Sequence, residues 1–112
     1  MGHAVESFNY DVESLIRTGN EKILDDLVHS ENYLSRIAVA GYGRDKDLDI
    51  LVYDNNNLVR IAVGDKGRDK DLDILVHDTD IYVRASVAKK GRPKDIELLK
   101  YDESEYVREY CQ

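Results

Sequence analysis

The sequence holds one cysteine, one proline and no tryptophan. A lone Cys111 excludes an internal disulfide, a zinc site built from several thiolates and a cysteine-held iron–sulfur cluster. No cofactor is therefore expected, and a reducing, cytoplasmic setting is. No apolar run approaches the roughly 18 residues that span a bilayer, so no membrane partner is expected. The start, Met1-Gly2-His3-Ala4-Val5-Glu6, lacks the basic-then-apolar plan of a signal peptide, and Glu6 stands where a myristoylation signal needs Ser or Thr. Positive charge is in deficit: 16 Lys and Arg face 23 Asp and Glu, for a net charge of −7. That balance disfavours direct binding to DNA or RNA. The 112 residues suit a single domain, and the 42% that are hydrophobic fall in short regular clusters, which argues against disorder.

Those clusters repeat. Gly43-Arg44-Asp45-Lys46-Asp47-Leu48-Asp49-Ile50-Leu51-Val52 recurs letter for letter at 67–76, an offset of 24 residues. A further 24 brings Gly91-Arg92-Pro93-Lys94-Asp95-Ile96-Glu97-Leu98-Leu99, the same pattern mildly substituted. The other half also recurs: Leu34-Ser35-Arg36-Ile37-Ala38-Val39, Leu58-Val59-Arg60-Ile61-Ala62-Val63, Tyr82-Val83-Arg84-Ala85-Ser86-Val87, and a last Tyr106-Val107-Arg108. A fixed period of this kind decides the fold. The reading is one helical-repeat domain over 1–112: a divergent opening unit at about 8–31, repeats at about 32–55, 56–79 and 80–103, and a truncated exit at 104–112.

Each unit divides into two helices. Asn32, Asn56, Asp80 and Ser104 occupy one slot and can cap the first turn of a helix A. Its apolar positions, such as Val59, Ala62 and Val63, follow i, i+3, i+4 spacing. Gly43, Gly67 or Gly91 ends it, being free to adopt left-handed geometry past the last turn. Helix B then begins with Asp45, Asp69 or Pro93 and turns Leu48, Leu51, Val52 and Leu72, Leu75, Val76 inward. Two helices in 24 residues leave about 7–10 residues each, too few to be stable alone, so every unit must lean on its neighbours. Helix spacings of about 8–10 Å predict a rod of roughly 40–45 Å.

The string Asp78-x-Asp80-x-x-Val83-Arg84-x-x-Val87-Ala88-x-x-Gly91, followed by Ile96 and Leu99, resembles the leucine-rich repeat variant family, whose short repeats are HEAT-like. The likeness runs from about Phe8 to the end. It implies an all-α, right-handed solenoid of four to five helix–turn–helix repeats, in which helix B is α or 3₁₀. Founding members of that family carry an iron–sulfur module with clustered cysteines, which Cys111 alone cannot supply, so that function is not carried over.

Several chemistries can be weighed on the repeated polar residues. Arg36, Arg60, Arg84 and Arg108 interrupt an apolar helix A, either as a ladder for phosphate or carboxylate ligands or as structural ties. The structural reading pairs Arg60, Arg84 and Arg108 with Asp54, Asp78 and Asp102 six residues earlier, or each arginine with a loop carbonyl, because a charge among apolar neighbours needs a partner. Asp45, Asp47 and Asp49 lack the Gly and Glu positions of a calcium loop and point different ways around a helix. His29 and His77 are two units apart, too far to share one metal. Gly41-Tyr42-Gly43 lacks the third glycine of a dinucleotide fingerprint and follows a helix. No nucleophile–base set clusters, so no enzyme activity is expected.

The surface remains. On a helical wheel, Ile50 with Tyr53, Ile74 with His77 and Leu98 with Tyr101 lie opposite the core leucines, weakening to Asp26 with His29. Stacked, these pairs form either an exposed apolar–aromatic stripe suited to a protein partner or, if helix B is flanked on both sides, ordinary core. Beside them run Asp47, Asp71 and Asp95, expected as an acidic margin. The leading expectation is a non-catalytic protein-binding module acting through the stripe. The alternative is an acidic decoy that inhibits a nucleic-acid-binding protein, in the manner of a phage inhibitor. Open repeat ends also leave room for self-association.

Overall fold

The structure is a computed structural model that describes residues 20–112; the earlier part of the opening unit, from about Phe8 to Gly19, lies outside the described residues. Asn20 accepts from the N–H groups of Lys22 and Ile23 and opens α1 (Glu21–Leu27). Asn32, Asn56 and Asp80 then do the same for three ten-residue helices: α2 (Tyr33–Tyr42), α4 (Asn57–Lys66) and α6 (Ile81–Lys90). Ser104 caps a short α8 (Glu105–Glu109). Between them lie seven-residue helices, α3 (Asp45–Leu51), α5 (Asp69–Leu75) and α7 (Pro93–Leu99). The described residues are thus all-helical, and helix B is α throughout.

Gly67 shows why the ten-residue helices stop where they do. It sits at φ +79°, a conformation that costs an L side chain about 1–2 kcal/mol, and it turns the chain from α4 into α5. The seven-residue helices start differently: their N-cap positions hold Arg44, Arg68 and Arg92, which give no side-chain cap. Acids at the first turn, such as Asp69 and Asp71, suit the positive end of the helix dipole instead.

The core is one continuous row. Leu48, Leu51, Leu72, Leu75 and Leu99 from the short helices meet Val39, Val59, Val63, Val83, Val87 and Val107 from the long ones. Fully burying each such side chain is worth about 1.5–3 kcal/mol. The long helices pack directly on one another, α2 on α4 and α4 on α6, and α6 packs on α8; α3 and α5 each wedge between two long helices, while α1 packs on α2 and α7 on α6. Gly64 marks how close α4 and α6 come, since a Cβ there would stand 3.0 Å from Ser86 Oγ.

The described residues extend over 58 × 22 × 20 Å, with a radius of gyration of 16.0 Å against about 12 Å for a sphere-like domain of that length. The 58 Å exceeds the 40–45 Å expected from helix spacing alone. That expectation counted axis-to-axis steps and left out the width of the terminal helices, about 10 Å.

Candidate functional site

Two sets of arginines tie neighbouring units, one at each end of the short helices. In the first set, Arg60 Nη1 donates to the Asp54 carbonyl six residues back at 2.7 Å. Its Nε and Nη2 grip both oxygens of Asp78 in the following unit, at 2.8 and 3.1 Å. Arg36 treats Ser30 and Asp54 the same way, and Arg84 treats Asp78 and Asp102 the same way. The six-residue partner expected from sequence is therefore the backbone carbonyl, while the carboxylate comes from the next unit. Each of these aspartates also accepts an N–H two residues on, which shapes the turn before the next long helix. Arg84 holds the Asp102 carboxyl below its usual range, against the opposing effect of burial. Arg108 keeps the carbonyl contact, to Asp102 at 2.6 Å, but meets no carboxylate among the described residues. With their forks filled, Arg36, Arg60 and Arg84 are ties rather than a phosphate ladder.

The second set corrects the sequence reading. Asp47, Asp71 and Asp95 form no acidic margin: each is 1% exposed. They sit at the third position of a short helix, where the preceding arginine folds back over them. Arg68 Nε and Nη2 hold Asp71 at 2.7 and 2.8 Å, and Nη2 reaches Asp49 of the previous unit at 2.8 Å. Arg44 joins Asp47 to Asp25, and Arg92 joins Asp95 to Asp73. The bonded aspartates raise the pKa of all three arginines. Lys46 and Arg44 lower that of Asp25, Arg68 and Lys70 that of Asp49, and Lys94 and Arg92 that of Asp73. A sequence signal for this clasp existed: Arg92 and Asp95 persist at i, i+3 even where proline replaces the residue between.

The stripe residues lie outside this network. Ile50, Tyr53, Ile74, Leu98 and Tyr101 range from 37% exposed at Ile74 to 78% at Tyr101, and His77 is exposed as well. They are surface rather than core, because the short helices are covered only on the side facing the long ones. Two clefts open along the stripe at positions two units apart. One, of 540 Å³, lies between His29 and Glu31 on one side and Ile50, Tyr53 and Asp54 on the other, with Arg36 at its floor. Its equivalent, of 360 Å³, is lined by His77, Leu98, Asp102 and Glu103 over Arg84.

A second apolar row was missed. Leu34, Leu58, Tyr82 and Tyr106, one from each long helix, are all exposed. Tyr82, Tyr106 and Tyr110 continue it as edge-on aromatic pairs at 5.2 and 5.3 Å, with Lys89 Nζ 4.7 Å from the Tyr110 ring centroid. The signal was the residue two places after each cap, which is Leu, Leu, Tyr and Tyr in turn.

Among the described residues no group of acids, histidines and cysteine is placed to hold a metal ion, and no helix is long and apolar enough to cross a membrane. The described residues are all-α, with an exposed apolar edge. No family model, curated protein or solved structure matches it.

Proposed function

We propose that this chain is a non-catalytic, cytoplasmic helical-repeat module that binds another protein through the stripe of Ile50, Tyr53, Ile74, His77, Leu98 and Tyr101. In this reading the units form a right-handed solenoid of the leucine-rich repeat variant or HEAT-like kind. The in-register recurrence of ten- and seven-residue helices at the sequence period supports it. The observation that carries the binding role is the exposure of three equivalent pairs of mostly apolar side chains on one edge, while the rest of α3 and α5 is buried or ion-paired. Exposed aromatic and aliphatic groups in a contiguous row are what protein interfaces use. The acidic-decoy alternative finds no exposed acidic margin in Asp47, Asp71 and Asp95, which are buried and ion-paired with Arg44, Arg68 and Arg92.

The test replaces all six stripe residues with serine or asparagine. The variant keeps the helical circular-dichroism spectrum and cooperative melting of the parent, and it loses the proteins that the parent captures from native lysate. Unfolding of the variant, or an unchanged captured set, sinks the proposal.

A further inference from the structure

We infer that the stripe's partner is an extended, basic segment whose long cationic side chains enter the two clefts, an inference that rests on the stripe being the binding surface. Charge around the stripe is unevenly satisfied. Arg36 and Asp54 cancel at the first cleft, and Arg84 and Asp102 cancel at the second. Asp78 is taken by Arg60. Lys46, Lys70 and Lys94 are held on Asp25, Asp49 and Asp73, and Lys100 on Glu97. Glu31 and Glu103 remain, one at each cleft, with no ion pair among the described residues. Each cleft therefore has an apolar wall and one unmatched carboxylate at its lip.

A lysine or arginine meets both demands at once. Its aliphatic stem lies along Ile50 or Leu98, and its head reaches Glu31 or Glu103. The chain already contains a miniature of this arrangement, since Lys100 Nζ sits 5.2 Å from the Tyr101 ring centroid while bonded to Glu97. Glu31 and Glu103, each just before a cap, stand three units apart, roughly 30 Å, which an extended chain spans in about nine residues. The partner segment thus carries two basic residues about nine apart with apolar residues between them.

The experiment measures fluorescence anisotropy of a short labelled peptide carrying two arginines about nine residues apart and leucines between, against the full chain. A second peptide has glutamates in place of the arginines. The arginine peptide binds, the glutamate peptide does not, and raising the salt weakens the complex. Glu31→Gln and Glu103→Gln each weaken it about two- to five-fold, as exposed ion pairs do. Tyr53→Ser with Tyr101→Ser weakens it as well. Equal binding of the two peptides, no binding of either, or indifference to the two glutamine substitutions overturns the basic partner. None of those results touches the stripe itself, whose failure is read separately from the unchanged captured set of the six-residue variant.

Discussion

Asp71 offers the sharpest test of how short helices are held in place. Replacing it with alanine removes a carboxylate that is 1% exposed and accepts two bonds from Arg68 at 2.7 and 2.8 Å. Breaking one partner out of a buried ion pair costs about 3–5 kcal/mol, mostly because the remaining charge loses its counterpart. Arg68 retains Asp49 at 2.8 Å, which places the cost at the lower end, about 3 kcal/mol. With a urea slope of about 2 kcal/mol per molar, the unfolding midpoint falls by about 1.5 M. The assay is equilibrium urea unfolding followed by far-ultraviolet circular dichroism. Asp73→Ala is the control: that side chain is half-exposed, also bonded to an arginine and a lysine, and its loss moves the midpoint only slightly. Replacing Arg68 and Asp71 together with methionine and leucine recovers most of the loss, since a packed apolar pair often substitutes for a buried ionic one. An Asp71→Ala midpoint within about 0.25 M of the parent, or an equal effect of Asp73→Ala, refutes the assignment of Asp71 as an internal clasp.

Three further outcomes follow from the same geometry. Arg84→Lys surrenders the two-pronged grip on Asp102 and lowers stability by about 1–3 kcal/mol, seen as a fall of several degrees in the thermal midpoint. Gly67→Ala forces a side chain into φ +79° and costs about 1–2 kcal/mol, whereas Gly41→Ala, inside α2 with open space around it, does not destabilise. Stability also depends on pH. Because Arg84 depresses Asp102 in the folded state, that contribution is complete above the carboxyl's unfolded value of about 4 and is lost as pH falls through the lower folded value. Urea midpoints measured from pH 7 down to 2 therefore hold level and then drop below about pH 4, and a rise in that range contradicts the pairing.

Caps and stops were legible because their chemistry is local. Asn32, Asn56, Asp80 and Ser104 need only the N–H groups of their own first turn, and Gly67 only its own backbone angle. The arginine ties were half legible: spacing within one unit pointed to the turn six residues back, but the carboxylate came from the next unit, a contact that only packing determines. Asp47, Asp71 and Asp95 were misread because a charged residue near a helix start is ordinarily solvated. An arginine at the N-cap, reaching three residues ahead, shields them from water. The exposed row of Leu34, Leu58, Tyr82 and Tyr106 escaped notice because these residues look like core, and only the arrangement of the long helices leaves them outside.

The first set of ties also sets a rule for how such a chain can change in length. One prong of Arg60 reaches six residues back and the other 18 ahead, and the two reaches together equal one copy of the sequence period. Duplicating or deleting a whole copy leaves every fork closed on an equivalent oxygen. An insertion of any other size throws donors and acceptors out of phase on both flanks at once. Growth by whole steps is thus the cheap direction of variation, and the letter-for-letter identity of residues 43–52 and 67–76 is what such a step leaves behind.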